Sequence, residues 1–424
     1  MQIAIIGLGY CSISFLHYFV KKYSGKPMIN ITIIAPQDGM LGIAYKQFSD
    51  HYILNVPVQD MNIGDVKGDF QLWLKQHHPL EQSQNNTFAK RHLFGRYLLD
   101  KFAQIMQIAP SRNITINYID SIAISIENNI ILFADNTQVT ADEIIVAIGL
   151  ADSYKNSRNI LSVWSNEAVK FHTNPNSCNA NSIAIVGSNL SAVDVLVNLH
   201  FSAYNGDISV ISSSGTFPLV HEPVPNITLD ISPQDGRFGL HYVAKIIAEQ
   251  QQQYSLTDAQ IATLMRNIWP QIWQYFSSAD KELFFSPRYF TKWYKARHRM
   301  PPQNAVIVQN MLSSKRINVI KDSVESIVQN ANNATINCIN MLQDFDLVID
   351  TRHSHKSNKL LQNMLQNSLI VPDIVGYKTN QNHIYLLGSL TTAAHLECTS
   401  VPDLHKYARN TADNIMAKIN KVYY

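Results

Sequence analysis

The sequence predicts an α/β chain wound around two parallel sheets, and two pairs of stretches carry that reading. IAIIGLGYCSI at 3–13 runs an apolar strand into a glycine turn and then into a helix. IAIVGSNLSAV at 183–193 does the same again. Each is followed by a second β-rich run, INITIIA at 29–35 and ISVI at 208–211. Strand, glycine turn, helix, strand is the opening of a Rossmann-like dinucleotide-binding domain, and here it occurs twice.

The elements follow in order. Residues 2–6 read as a strand, 10–23 as a helix and 29–35 as the next strand. RNITINYIDSIAISIENNIILF at 112–133 reads as strand pairs closed by an Asp-Asn turn. DEIIVAIG at 142–149 is a buried strand ending at Gly149. The Asn- and Ser-rich stretch 152–181 reads as a linker. Strands at 182–187 and 208–212 open the second unit. Residues 255–276 read as a helix, with Thr257 and Gln260 at capping-box spacing and Pro270 set to kink or divide it. Two strands are expected in 334–350, one at 384–388, and a closing helix over 402–420.

Composition narrows the class. The chain has 424 residues, of which 46% are hydrophobic and 16% charged, so it has core enough for two or three domains and is no disordered chain. A net charge of +2 gives no basic footprint for nucleic acid. No apolar run reaches the length of a membrane span, and the N-terminus is not a signal peptide, so a soluble cytoplasmic protein is expected. Cys11, Cys178, Cys338 and Cys398 form no CxxC, which fits a reducing compartment and removes a disulfide-reductase chemistry. No metal site is expected, since His77 and His78 have no third ligand nearby.

In the first turn, Gly7 allows the sharp exit from the strand and Gly9 lets backbone approach a pyrophosphate. Ser12 fills the small third position. The phosphate would rest on free N–H groups at the helix N-terminus. The acid that normally holds the ribose is replaced by Ala35, with Gln37 and Asp38 beyond it. In the second turn Gly187 keeps the first role and Asn189 replaces the second glycine, being tolerant of left-handed backbone. Ser191 and Ala192 follow. The next strand ends at Ser212, Ser213 and Ser214, with neither an acid nor an arginine for the ribose. Either this turn binds a nicotinamide dinucleotide or it is kept for architecture.

Several stretches in order resemble the YdhS-like family of bacterial FAD/NAD(P)-binding oxidoreductases, whose substrates are mostly unassigned. They are LGIAY at 41–45, HYILNVPVQDM at 51–61, DFQLWL at 69–74, FGRYL at 94–98 and IIVAIG at 144–149. The second turn, ISVISSSGTFPLVH at 208–221, WYKARHRMPP at 293–302 and YLLGSLTTAAHLECTSVPDLHKYA at 385–408 complete the set. The resemblance implies FAD against the first turn and the closing segment, with Gly7, Gly9, Ser12, Gly42, Tyr45, Asn55, Val56, Arg96, Gly149, Gly388 and Val401 at its site. Gly187, Asn189, Ser191 and Ser212, in the second turn and at the tip of the strand after it, are the candidates for NAD(P)H. The chain departs from the family at Ala35, at Asn189 and at Arg352, where the family has a glycine.

A flavin carries redox chemistry itself, so no side-chain nucleophile is required. Arg297 and His298, with Arg299, form the densest basic group and could grip a carboxylate or phosphate; a solvated or salt-bridged helix end is the plainer reading. His395, beside Glu397, could relay protons near the flavin, and His221 could donate one. The expected division is an FAD-binding domain from 1–150 and 355–424. An NAD(P)-binding-like domain from 180–350 would carry a helical insertion at about 240–300. The expected activity is hydride transfer from NAD(P)H to FAD and on to a small-molecule substrate or O₂, an N-hydroxylating monooxygenase being one form. A non-catalytic FAD- or nucleotide-binding protein is the alternative. The oligomeric state is open.

Overall fold

The computed structural model describes residues 1–36, 41–46, 48–79, 87–149, 156–352 and 358–423. Gln37 and Asp38, named above, lie outside them. The chain divides into two units: Met1–Lys46, Val56–Ala151 and Lys356–Tyr424 make the first, and Gln47–Asn55 with Asp152–His355 the second.

Ten strands build the two principal sheets. They are β1 (Gln2–Ile6), β2 (Ile29–Ile34), β3 (Ile114–Ile119), β4 (Glu143–Val146) and β5 (Ile160–Ser162), then β6 (Ser182–Val186), β7 (Asp207–Ser212), β8 (Asn318–Lys321), β9 (Leu347–Asp350) and β10 (Ile384–Leu386). The first unit holds the order β10-β4-β1-β2-β3 and the second β8-β7-β6-β9-β5, every pairing parallel. Parallel strands covered on both faces need apolar residues at successive positions. Ile3, Ala4, Ile5 and Ile6 meet that need in β1, and Ile183, Ala184, Ile185 and Val186 meet it in β6.

Five helices matter for the sites: α1 (Tyr10–Lys22), α2 (Arg91–Ile108), α3 (Leu190–Phe201), α4 (Pro287–Arg297) and α5 (Val401–Tyr423). Two expectations need correction. The stretch at 152–181 is not merely a linker: its residues 160–162 form β5, paired with β9. Of the strands expected as pairs in 112–133, β3 instead joins the parallel sheet beside β2, and only Ala123–Glu127 and Ile130–Phe133 form a hairpin. Thr257 and Gln260 make the capping box, and the helix it opens, Asp258–Leu264, gives way to a separate helix Trp269–Trp273 containing Pro270. No helix of the described residues is long and apolar enough to cross a membrane.

A short strap, residues 48–55, belongs to the second unit although its chain neighbours belong to the first. Side chains hold it there. The Tyr52 hydroxyl lies 2.5 Å from Nδ1 of buried His172, whose ring stacks on Trp164. The Ser49 hydroxyl donates to Asn198 Oδ1 at 2.9 Å.

Candidate functional site

The first unit gathers glycines at the carboxyl ends of three neighbouring strands. Gly7 follows β1 at φ +97, and a Cβ there would stand 2.5 Å from the Ala147 carbonyl oxygen that follows β4. Gly149, at φ +69, would place a Cβ in open space. Gly388, at φ +77, follows β10, and its Cβ would come 3.6 Å from Cys11 Sγ. Ligands of open α/β sheets bind at this edge, where strand order reverses. Here the reversal lies between β1 and β4.

Gly9 is the N-cap of α1 in extended backbone, with no side-chain cap bond and no acid in the first turn. The helix therefore presents free N–H groups. Ser12 donates to the Gly7 carbonyl at 2.7 Å and locks the turn. Gly42 lies across from Gly9: a Cβ on Gly42 would be 3.6 Å from the Gly9 Cα. A Cβ on Gly95 of α2 would stand only 2.3 Å from the Tyr45 carbonyl oxygen, so this glycine lets the 41–46 segment pass. Tyr45 packs edge-on against Phe94, with centroids 4.8 Å apart. Gly9 and Gly42 thus bring two backbone segments without side chains close together beside the uncapped N-terminus of α1.

Val401 begins α5, and its carbonyl lies 3.4 Å from the Tyr10 hydroxyl, which donates to Asn62 O at 2.5 Å. Val56 belongs to the first unit and Asn55 to the second. Arg96 is exposed on α2. The other four residues of FGRYL are buried, and the part of Gly95 is steric.

His395 stacks on Tyr407 at 4.1 Å, and burial lowers its pKa to about 4. It is neutral near neutral pH, and its burial disfavours protonation.

The second unit repeats the construction. Gly187 follows β6 at φ +102, and a Cβ there would stand 2.5 Å from the Thr351 hydroxyl oxygen that follows β9. Asn189 caps α3 at φ −83 and ψ −168 without a side-chain bond. This is extended backbone open to any residue, so tolerance of left-handed geometry is not what admits asparagine. A cleft of about 490 Å³ opens here, a size suited to a small-molecule or cofactor site. The turn Gly187, Ser188 and Asn189 forms its floor, with Ser212, Ser213 and Ser214 beside it. Phe290, Tyr294 and Lys295 of α4 and Arg352 also line it. Arg352 is forked onto Asp350, Nε to Oδ1 at 2.9 Å and Nη2 to Oδ2 at 3.2 Å, and its stem lies near Gly187. Ser191 is not a lining residue: its hydroxyl accepts from the Trp164 indole at 3.1 Å.

Arg297 and His298 do not line this cleft. Arg297 is buried and so is not a solvated helix end, and half-buried His298 stacks on Tyr294 at 4.1 Å. His221 Nε2 donates to the Asn55 carbonyl at 2.9 Å. Burial first, then Arg299, lowers its pKa to about 4, so it is neutral at the pH where an imidazolium donor would be needed. Sequence reading missed Lys295, Ser188 and Gly95 as site residues. Lys295 stood in plain view within WYKARHR, but nothing local showed which of four cations faces the sheet edge.

Residues 4–151 match the family model described as FAD-NAD(P)-binding. No curated protein sequence matches the chain. Three solved structures share its fold at low identity. An ornithine N-hydroxylase of Kutzneria sp. 744, solved with reduced FAD, NADP⁺ and L-ornithine, superimposes with a TM-score of 0.63 at 12% identity, over 100% of this chain and 99% of that one. The ornithine hydroxylase of Pseudomonas aeruginosa gives 0.63 at 12%, over 99% and 98%. The bacillithiol disulfide reductase of Staphylococcus aureus gives 0.57 at 11%, over 99% and 98%. The chain thus has an α/β fold with the parallel sheets typical of Rossmann-like FAD/NAD(P)-binding domains.

Proposed function

We propose that this chain is a flavin-dependent oxidoreductase that binds FAD in its first unit and NAD(P)H in its second, and oxidises a small molecule with O₂. One observation carries the reading. Each unit has its own parallel sheet, and in each a glycine turn opens onto an uncapped helix N-terminus at the sheet's carboxyl edge. A single-nucleotide dehydrogenase has no use for the second site.

Gly7, Gly9 and Gly42 would hold the FAD diphosphate by backbone approach, while Gly149 and Gly388 keep the strand ends clear of side chains. When bound, FAD supplies the two-electron chemistry. Ser188, Asn189 and the α3 N-terminus would orient NAD(P)H, and Arg352 beside the turn would supply positive charge for its phosphates.

The YdhS-like resemblance supports this assignment. The fold shared with the ornithine N-hydroxylases favours an amine as the substrate class. Oxygen uptake tests the reading: protein loaded with FAD is given NADPH or NADH, with and without a panel of ω-amino acids and alkyl diamines. Amine-stimulated uptake with hydroxylamine formed is the expected result. Uptake that yields only peroxide with every amine would remove the N-hydroxylase form. No NAD(P)H oxidation at all would leave a nucleotide-binding protein without turnover.

A further inference from the structure

We infer that the cleft of the second unit selects NADPH over NADH, with Lys295 and Lys321 as the pair that recognises the 2′-phosphate. This rests on the reading of that cleft as a nicotinamide dinucleotide site.

Position comes first. In this fold the tip of the strand next to the glycine-turn strand meets the adenosine ribose, and an acid there holds the ribose hydroxyls while repelling a 2′-phosphate. That strand is β7, paired with β6. Its tip is Ser212, Ser213 and Ser214, followed by Gly215 and Thr216, with no carboxylate among them.

Two lysines meet this loop from different elements: the Lys295 ammonium lines the cleft, and the stem of Lys321, which is exposed beside the cleft rather than lining it, packs against the loop. Lys295 comes from α4 and its Nζ donates to the Thr216 hydroxyl. Lys321 ends β8, paired with Ser212 across the sheet. It packs directly under the loop: Gly215 has φ +61, and a Cβ there would stand 2.9 Å from the Lys321 Cβ. Glycine at 215 thus leaves room for the stem of residue 321 against the loop. Neither ammonium forms an ion pair among the described residues. Burial, and then the charge of Lys321, lowers the Lys295 pKa, as expected for cations set close with no anion between them.

One carboxylate lines the cleft nearby, and it is occupied. Asp322 Oδ1 accepts from the Ser323 amide at 2.7 Å and Oδ2 from the Asn340 amide at 3.0 Å, both within the adjoining backbone. Ser213 is exposed and its hydroxyl has no partner among the described residues, so it can donate to the same anion. A phosphate monoester carries close to two negative charges at neutral pH, matching the two lysines.

Calorimetric titration of the full FAD-loaded chain with NADPH, NADH and 2′,5′-ADP tests the inference. Lys295→Met, Lys321→Met, the double variant and Lys295→Arg are compared with it. A charge-assisted hydrogen bond corresponds to about tenfold in affinity or more, so NADPH should bind at least tenfold more tightly than NADH. The double variant should lose that preference by weakening NADPH and 2′,5′-ADP, and Lys295→Arg should keep most of it. Equal affinities in the unaltered protein, or a double variant that weakens NADH and NADPH alike, would overturn the lysine assignment while leaving the site intact. Absence of binding by either dinucleotide would instead overturn the site itself, and the inference with it.

Discussion

At the scale of single residues, the glycines do unequal work. Gly7 is fixed twice over, by φ +97 and by the Ala147 carbonyl 2.5 Å from where a Cβ would be. Gly7→Ala should cost about 1–3 kcal/mol in urea unfolding and weaken FAD binding in parallel. Asn189 has no such constraint. Its backbone is extended, its side chain is exposed and it makes no cap bond. Asn189→Gly should leave stability within about 0.5 kcal/mol while tightening NAD(P)H binding several-fold, measured by fluorescence titration. A loss of stability like that of Gly7→Ala would show that the asparagine is structural.

Histidines give the molecule an acid limit. Burial is the largest cause in each of three cases, and it lowers His17, His221 and His395 from 6.5 to about 4. The unfolded chain therefore takes up these protons first. Stability is full above about pH 6.5 and is lost as pH falls towards 4. The melting temperature should drop steeply over that window, and His395→Gln should flatten the drop. A profile level from pH 7 to 4.5 would show that these rings are more hydrated than their packing indicates.

At the scale of elements, what could be read from sequence was what local chemistry decides. The two glycine turns, the strands they follow and the Thr257–Gln260 box are written in adjacent residues, and each is found where the pattern places it. Thr257→Ala should cost about 1 kcal/mol by denaturant unfolding, since its hydroxyl accepts from the Gln260 amide and also donates to Glu222 at 2.7 Å. What could not be read depends on atoms distant in sequence. Arg96 drew attention in FGRYL as the charged residue. The steric constraint falls on Gly95, because the Tyr45 carbonyl passes 2.3 Å from its missing Cβ, fifty positions earlier in the chain. Strand β5 has three residues in polar surroundings, and only pairing with β9 makes it a strand.

At the scale of the whole molecule, the duplicated construction is the main fact. Two parallel five-stranded sheets each place a glycine turn against the residue after a neighbouring strand, Ala147 in one unit and Thr351 in the other. The composition and the repeated turn made that architecture legible. The strap at 48–55 was not legible, because its ties to His172 and Asn198 lie over a hundred residues away. The proposed function gives the duplication a use: electrons pass from the nucleotide of one unit to that of the other. The most direct test is the visible spectrum of the FAD-loaded protein, recorded anaerobically before and after one equivalent of NADPH. The account predicts that the flavin band bleaches within seconds and returns on admitting air. A band that binds to the protein yet persists through excess NADPH and NADH would contradict it.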